Sequence, residues 1–340
     1  MSTPVTWGLL STAAIGGTVV RATRGSDVTR FTAVASRDAA KARGFAGVLG
    51  VPDAHGSYEE LLASPDVAAV YVALPISMHA EWTVRALRAG KHVLCEKPLA
   101  MSPAGAATVF DAAEDAGRVV AEGLMWRFHP RTALVRQLVA DGAVGRVQQV
   151  RAALSVSVPP GDIRRRPEVG GGAIWDLGCY CVSAIRLFGG TPERVHAEAV
   201  HDNGVDLALS GVLRCGDVIG HFDVGLDHPR RDELEIVGTT GTIVVRDPWL
   251  CRDTGVQLHR GAVVETVPLV RDEELRSAVA AAGEDAVYRL QLDQVSRAVR
   301  GGEPLEFGRD DAVEQAATLA ALDESARRGA PVTPARGAAR

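Results

Sequence analysis

Apolar and polar positions change rhythm once along this chain, near residue 123. Before that point, short apolar runs alternate with helix-like stretches. The runs are Thr6–Leu10, Phe31–Ser36, Val67–Leu74, His92–Glu96 and Arg118–Glu122. Near-continuous apolar character marks strands buried on both faces, as in a parallel sheet. Between them the spacing predicts helices over Gly16–Thr23, Arg37–Leu49, Tyr58–Ala63, Met78–Ala89 and Pro103–Ala116. Ser77 and Ser102 stand where N-caps belong, Pro103 at a first helical position, and Gly90 and Gly117 where helices stop. This β-α-β-α order predicts a doubly wound parallel sheet with right-handed crossovers.

Beyond residue 123 a helix over Arg131–Asp141 precedes a strand over Val147–Val158. A polar, glycine-rich loop, Gly161–Gly172, leads into a helix over Gly172–Phe188. Strands follow at Arg194–His201, Asp206–Arg214, Val218–Gly225, Glu233–Gly238 and Gly241–Arg246, with shorter pieces to Leu269. Several alternate, as in DLALSGVL, which predicts an antiparallel sheet with one face packed and the other open. Helices over Glu284–Arg300 and Arg309–Arg328 close the chain. The expected class is α/β. A Rossmann-type domain with a doubly wound parallel sheet spans 1–123. A C-terminal α+β domain with a large, mostly antiparallel open sheet spans 124–330. Residues 331–340, without apolar period, form a flexible tail.

Composition narrows the class of partner. A length of 340 residues suits two domains, and 46% hydrophobic residues suffice for two cores. A net charge of −5 argues against a nucleic-acid or anionic-membrane surface. No apolar stretch approaches the roughly 18–20 residues that span a bilayer. The opening MSTPVTW has no basic segment and no apolar signal core, so a cytoplasmic location is expected. Five scattered cysteines (Cys95, Cys179, Cys181, Cys215 and Cys251) suit reduced thiols. Cys179 and Cys181 point different ways on a helix, and the histidines form no cluster, so no metal is expected.

The candidate chemistry begins at VTWGLLSTAAIGG, residues 5–17. It has the strand–turn–helix context of a dinucleotide-binding turn but not its glycines. Laid on Gly-x-Gly-x-x-Gly, the three positions are Ser11, Ala13 and Gly16. The substitutes are small, so the backbone of Ser11, Thr12, Ala13, Ala14 and Ile15 can still approach phosphate oxygens, with the Ser11 and Thr12 hydroxyls as added donors. Ser36 and Arg37 end the second strand, where an acid usually binds the ribose 2′-OH. A hydroxyl and a cation there suit a 2′-phosphate, and hence NADP. Asp38 comes next and keeps NAD possible. A later strand runs into Glu96-Lys97-Pro98 at its carboxyl end, where open α/β sheets bind ligands. Pro98 keeps Lys97 out of helical geometry.

HVLCEKPLA, taken with GLLSTAAIGG, resembles the Gfo/Idh/MocA oxidoreductases. LPISMHAEWTVRALRAGKHVLCEKPLA, EGLMWRFHP and GDIRRRPEVGGGAIWDLGCY also look like segments of that family, in order and spacing. The nearest branch is NADP-linked and includes dimeric dihydrodiol dehydrogenase, glucose–fructose oxidoreductase and D-xylose dehydrogenases. That branch uses a tyrosine where many members have histidine, here Tyr180 in DLGCY. One departure is Ile76, where relatives often have asparagine.

The resemblance implies hydride exchange between NADP and a sugar, polyol or vicinal diol. Such a reaction needs a group to take or return a hydroxyl proton. Tyrosine titrates near ~10 unaided, so it needs a neighbouring cation. Tyr180 is the implied acid/base, Lys97 the cation and a substrate contact, and Asp176 an orienting carboxylate one helical turn before Tyr180. Leu74, Pro75, His79 and Glu96 join the cofactor set. Trp126 and Arg127 either line the nicotinamide side or pack the domain junction. Trp126 also joins the substrate side, with Arg164. His221 and His228 read as ordinary strand and turn residues. The family's sheet commonly pairs, so a homodimer or homotetramer is expected. Two other readings stand beside this one. A ketoreductase of nucleotide-linked sugars would need cations for a diphosphate, with Arg164–Arg166 as the only obvious cluster. A non-catalytic NADP-binding regulator would need neither Lys97 nor Tyr180.

Overall fold

The computed structural model describes residues 3–252, 255–269 and 283–335. These divide into two compact units, one of 3–100, 104–128 and 283–312, the other of 101–103, 129–252, 255–269 and 313–335.

In the first unit six parallel strands form one sheet. They are β1 (Val5–Leu10), β2 (Thr29–Ala35), β3 (Asp53–His55), β4 (Ala69–Val72), β5 (His92–Glu96) and β6 (Val120–Gly123). Their order, β3-β2-β1-β4-β5-β6, is the doubly wound one, with its switch point between β1 and β4. The short β3 lies outside the apolar runs, because only its edge pairing with β2 defines it. Helices α1 (Ala14–Ala22), α2 (Ala39–Leu49), α3 (Tyr58–Ala63), α4 (His79–Arg88) and α5 (Pro103–Ala116) cover the sheet. One core layer gathers Leu10, Val70, Val72, Leu87 and Val93, the other Trp7, Leu9, Val19, Tyr71 and Leu94.

Ser57 caps α3, accepting from the Glu60 amide at 3.1 Å. Ser77 does not cap α4. It lies inside a 3-10 turn, Ile76–Met78, and Met78 takes the cap position without a side-chain bond. Gly90 and Gly117 end α4 and α5 with φ of 79° and 60°, angles that cost a side-chain-bearing residue more than glycine. A helix from outside the alternation, α8 (Ala286–Val299), joins this unit through Leu292 and Val295. Its Ser296 accepts from the Trp7 indole at 3.0 Å, and its Asp293 from Ser26 and Thr29 at 2.6 and 2.7 Å.

The second unit begins with α6 (Pro130–Ala140), capped by His129, and is built on an eight-stranded sheet. Its strands are β7 (Val147–Ser157), β8 (Arg194–Asp202), β9 (Val205–Cys215), β10 (Val218–Gly225), β11 (Asp227–Gly238), β12 (Thr242–Arg246), β13 (Gly255–Arg260) and β14 (Val263–Pro268). The order is β14-β13-β12-β11-β7-β10-β9-β8, and every pair is antiparallel except β7 with β10. His228 is a strand residue, not a turn residue, since β11 starts at Asp227. Its ring lies over Gly225, where a Cβ would come within 2.4 Å of Nδ1.

Helix α7 (Cys179–Gly189) packs on one face of this sheet. Gly220 lets it approach, since a Cβ there would meet Ile185 at 2.3 Å. The last helix, α9 (Arg309–Arg328), belongs to this unit from Val313 onward. Its Gln315 donates to the Cys179 carbonyl at 2.8 Å and accepts from Arg186 at 3.0 Å. All five cysteines are free and buried. Burial pushes the thiols of Cys95, Cys181, Cys215 and Cys251 above their ordinary range, so they stay protonated and unreactive. No described helix is long and apolar enough to cross a membrane.

Candidate functional site

The turn after β1 keeps the conformation of a glycine fingerprint without its first glycine. Ser11 has φ 128°, an angle that ordinarily favours glycine. Its amide donates to Ala35 O at 3.1 Å. Its hydroxyl donates to Ala73 O at 2.6 Å and accepts from the Ala13 amide at 3.1 Å. The single hydroxyl proton of Ser11 is therefore used inside the protein, and Ser11 is a brace for the turn and not an added donor. Ala13 precedes α1 in extended geometry, and no side chain caps the helix. Gly16 serves packing, as a Cβ there would lie 2.5 Å from Leu9 Cδ2. Small residues, an uncapped helix start and close strand–helix packing suit the pyrophosphate of a dinucleotide.

At the end of β2, Ser36 is buried and Arg37 and Asp38 are exposed. The Asp38 carboxylate is committed to α2, accepting from the Ala40 and Lys41 amides at 2.9 and 3.1 Å. Those bonds hold its carboxyl below the usual range. Ser36 Oγ accepts from the Asp38 amide at 3.2 Å. Burial raises the pKa of the Tyr58 hydroxyl, and the positive charge of Arg37 acts against that rise.

The ends of β4 and β5 are tied together by His79. This residue is buried, and its Nδ1 and Nε2 lie 2.8 Å from Pro98 O and Leu74 O respectively. Burial lowers its pKa, while the two carbonyls act the other way. His79 thus lies between the segment Leu74–Pro75 and the segment Glu96–Pro98; a neutral ring donates to one of the two carbonyls, and only the imidazolium donates to both. Glu96 accepts from the Tyr71 hydroxyl and, through Oε2 at 3.3 Å, from the Lys97 amide. The Lys97–Pro98 peptide is cis. Leu99 donates to Glu122 at 2.9 Å, which fixes the chain just beyond. Trp126 and Arg127 follow β6 and are buried. The Arg127 guanidinium pairs with Asp311 at 2.5 Å and lies 4.4 Å over the Phe307 ring, an internal anchor for that side chain.

In the second unit Asp176 and Tyr180 lie on one continuous helical run. Its first turn, Ile174–Gly178, is π-helical, and α7 continues from Cys179. Single π turns recur at functional sites. Tyr180 packs against Trp249 with ring centroids 5.7 Å apart. Arg164 meets Asp176 at 3.8 Å and is held by Asp162 through two bonds of 2.9 Å. Its neighbour Arg165 donates to Val158 O at 3.0 and 2.7 Å and pairs with Asp227. The structure thus joins Asp176, Tyr180 and Arg164 in one unit, and the turn, β2 end, His79 and Lys97 in the other. Three structural details are not legible in the sequence: the Asp38 cap, the place of His79 between two carbonyls, and the burial of Asp206.

Residues 7–124 match the model of an oxidoreductase family with an NAD-binding Rossmann fold. Residues 132–244 match the GFO/IDH/MocA C-terminal domain. The chain is 38% identical to a Haloferax volcanii protein named D-xylose 1-dehydrogenase (NADP(+)) 2, over 96% of this chain and 98% of the relative. The chain belongs to the GFO/IDH/MocA oxidoreductase family. Within that family it is also 35% identical to a dTDP-3,4-didehydro-2,6-dideoxy-α-D-glucose 3-reductase of Saccharopolyspora spinosa, covering 88% of this chain and 91% of that one. Among solved structures, the Actinomadura kijaniata 3-ketoreductase KijD10, in complex with NADP and TDP-benzene, superposes with a TM-score of 0.84 at 30% identity. That match covers 95% of this chain and 98% of the other. The same reductase has been solved with a lysine replaced by alanine and with a tyrosine replaced by phenylalanine. As a member of the family this protein is an oxidoreductase, and its first unit is an NAD(P)-binding Rossmann domain.

Proposed function

We propose that this enzyme exchanges hydride between NADP and a hydroxyl or carbonyl carbon of a sugar, polyol or vicinal diol. The end of β2 carries the cofactor choice. Asp38, the one acid placed to bind a ribose 2′-OH, spends its carboxylate on the α2 cap, and Arg37 stands exposed beside it. A cation without an available acid suits a 2′-phosphate. Thr12, Ala14 and Ile15 hold the pyrophosphate on a turn that Ser11 and Ala13 brace, and Ser36 and Arg37 hold the adenosine side. Leu74, Pro75, His79, Glu96, Lys97, Trp126 and Arg127 form or support the nicotinamide side. When bound, the nicotinamide accepts or supplies the hydride. Tyr180 takes the substrate's hydroxyl proton in oxidation and returns it in reduction. Lys97 is the cation that assists it and a substrate contact, and Asp176 and Arg164 orient the substrate.

The Saccharopolyspora spinosa relative is named for a dTDP-linked keto sugar and KijD10 was solved with TDP-benzene, which makes a diphosphate-bearing substrate the second reading. The loop argues against it here. Arg164 is neutralised by Asp162 and Asp176, and Arg165 by Asp227, so two of the three arginines already have carboxylate partners. We place the enzyme in the cytoplasm as a homodimer or homotetramer paired through the eight-stranded sheet. The test is a screen at the reduced-nicotinamide absorbance band, with NADP and NAD against aldoses, inositols, diols and free or nucleotide-linked keto sugars. Turnover of free sugars or diols with NADP is expected. Turnover of nucleotide-linked sugars alone, or with NAD alone, overturns this reading.

A further inference from the structure

The run that carries Asp176 and Tyr180 starts from an unusual knot. Gly170, Gly171 and Gly172 fold back on the arginine loop, with Gly171 donating to Arg166 O and Gly172 to Arg164 O, both at 2.9 Å. Neither position admits a side chain. A Cβ on Gly171 would lie 2.6 Å from Arg164 O. A Cβ on Gly172, at φ 127°, would lie 2.1 Å from Asp206 Oδ1. Asp206 stands near the start of β9, is only 6% exposed, and its Oδ2 accepts from the Ile174 amide at 2.7 Å. The neighbouring Ala173 amide acts on the same carboxyl more weakly, lowering its pKa. A buried carboxylate on the first amides of a helix satisfies donors that the helix cannot, and it sets where the helix begins.

We propose that Asp206 is a positioning residue for catalysis: by holding the amide of Ile174 it fixes the rotation and register of the helix that presents Asp176 and Tyr180, and with Gly172 it aligns that helix to the Arg164 loop. This inference rests on the role given above to Tyr180. Asp206 touches none of the reacting groups, and it acts through the helix. Burial pushes its carboxyl up to about 7, opposed by the Ile174 amide and its own amide, with Asp323 adding to the rise and the Ala173 amide opposing it. The charged and titratable groups around it are His201, its partner across β8, and Asp323 on α9, which is paired with Arg327. Protonation of Asp206 weakens the acceptor and loosens the helix start.

Three variants and three readouts test this. Asp206→Ala removes the acceptor, Asp206→Asn keeps an acceptor without charge, and Tyr180→Phe removes the proton-transfer group. Expected for Asp206→Ala is a kcat loss of at least about 10-fold with the NADP dissociation constant within about twofold, the split that marks lost positioning of the chemistry. Amide exchange at Ile174 should accelerate in the same variant. For Asp206→Asn the loss should be smaller, and the ratio of wild-type to variant kcat should fall toward one as pH drops through about 7. Folded Asp206→Ala with wild-type kcat, or with unchanged exchange at Ile174, overturns the proposal. If Asp206→Ala does not fold, a kcat ratio to Asp206→Asn that stays constant across that pH range overturns it. Tyr180→Phe separates the two claims. A loss of about 100-fold or more is expected of a missing acid/base. Near-native turnover there removes Tyr180 from the chemistry, while the exchange measurement still judges the helix cap.

Discussion

Ser11 holds a backbone angle of 128° that its side chain makes costly, of order 1–3 kcal/mol, and two bonds of its own hydroxyl keep it there. The position is legible as a fingerprint site only through context, because a serine there reads as a lost glycine. The next strand end is the reverse case. Ser36, Arg37 and Asp38 are plain in the sequence, but whether the cation or the acid faces a ligand is not, since both readings use the same three residues. The structure decides part of this by spending Asp38 on the α2 cap. Arg37→Ala should therefore weaken NADP about 10- to 100-fold, the size of a lost charge-assisted contact, and leave NAD within about threefold. Titration of each cofactor by fluorescence checks this, and equal losses on both would remove the 2′-phosphate contact.

Two histidines act as hydrogen-bond acceptors at element ends, a role that needs the neutral ring. His129 Nδ1 accepts from the Arg131 amide at 3.1 Å and starts α6; His92 Nδ1 accepts from the Val119 amide at 2.9 Å and joins β5 to the segment before β6. Burial lowers each to about 4, with Arg131 and Arg118 respectively adding to the fall. The folded value lies below the unfolded one near ~6.5, so this stabilisation is whole above pH ~6.5 and is lost as pH falls toward 4. For the buried His129 the loss is at most about 3 kcal/mol. Denaturant midpoints should fall from pH 7 to pH 4, and His129→Asn, which keeps an acceptor but does not titrate, should fall less. Equal falls in both proteins would refute the assignment. Period alone could not find these caps, since His129 reads only as the residue before Pro130. It also missed the π turn at Ile174–Gly178, which adds one residue to a helical turn without changing the apolar pattern.

At the scale of the molecule the eight-stranded sheet leaves one face without a helix of its own described on it. Across its centre Val212, His221, Arg151, Glu235 and Val244 stand in register on neighbouring strands. Val212 is 41% exposed, and Arg151 is exposed beside the half-buried His221 and Glu235. A mixed apolar and charged face of this kind suits pairing with a second copy. Sedimentation should show a dimer or tetramer at micromolar concentration, and Val212→Arg, which adds a cation beside His221 and Arg151, should shift it toward monomer. A monomeric wild-type protein would refute the pairing.

Lys97 and Tyr180 became a catalytic pair only through the family resemblance, but sequence alone determined the order of the elements other than β3, the two kinds of sheet and the turn after β1. Each is written in local period or in a contiguous motif, and neighbouring residues carry the signal. Only the tertiary structure decided which groups are already spent. Asp38 on a helix, Ser11 on Ala73, His79 between two strand ends, and Arg165 on Asp227 all find partners through folding. It also decided that α8, whose own period names no sheet, packs with Trp7 and Leu9. Asp206 shows the reason most directly. Alternation in DLALSGVL puts it on the same face as Ser210 and Val212, which are exposed, yet the turn at Gly172–Ile174 covers the start of β9 and buries it. A strand pattern records which way a side chain points; what arrives from 32 residues away to cover it is set by packing alone.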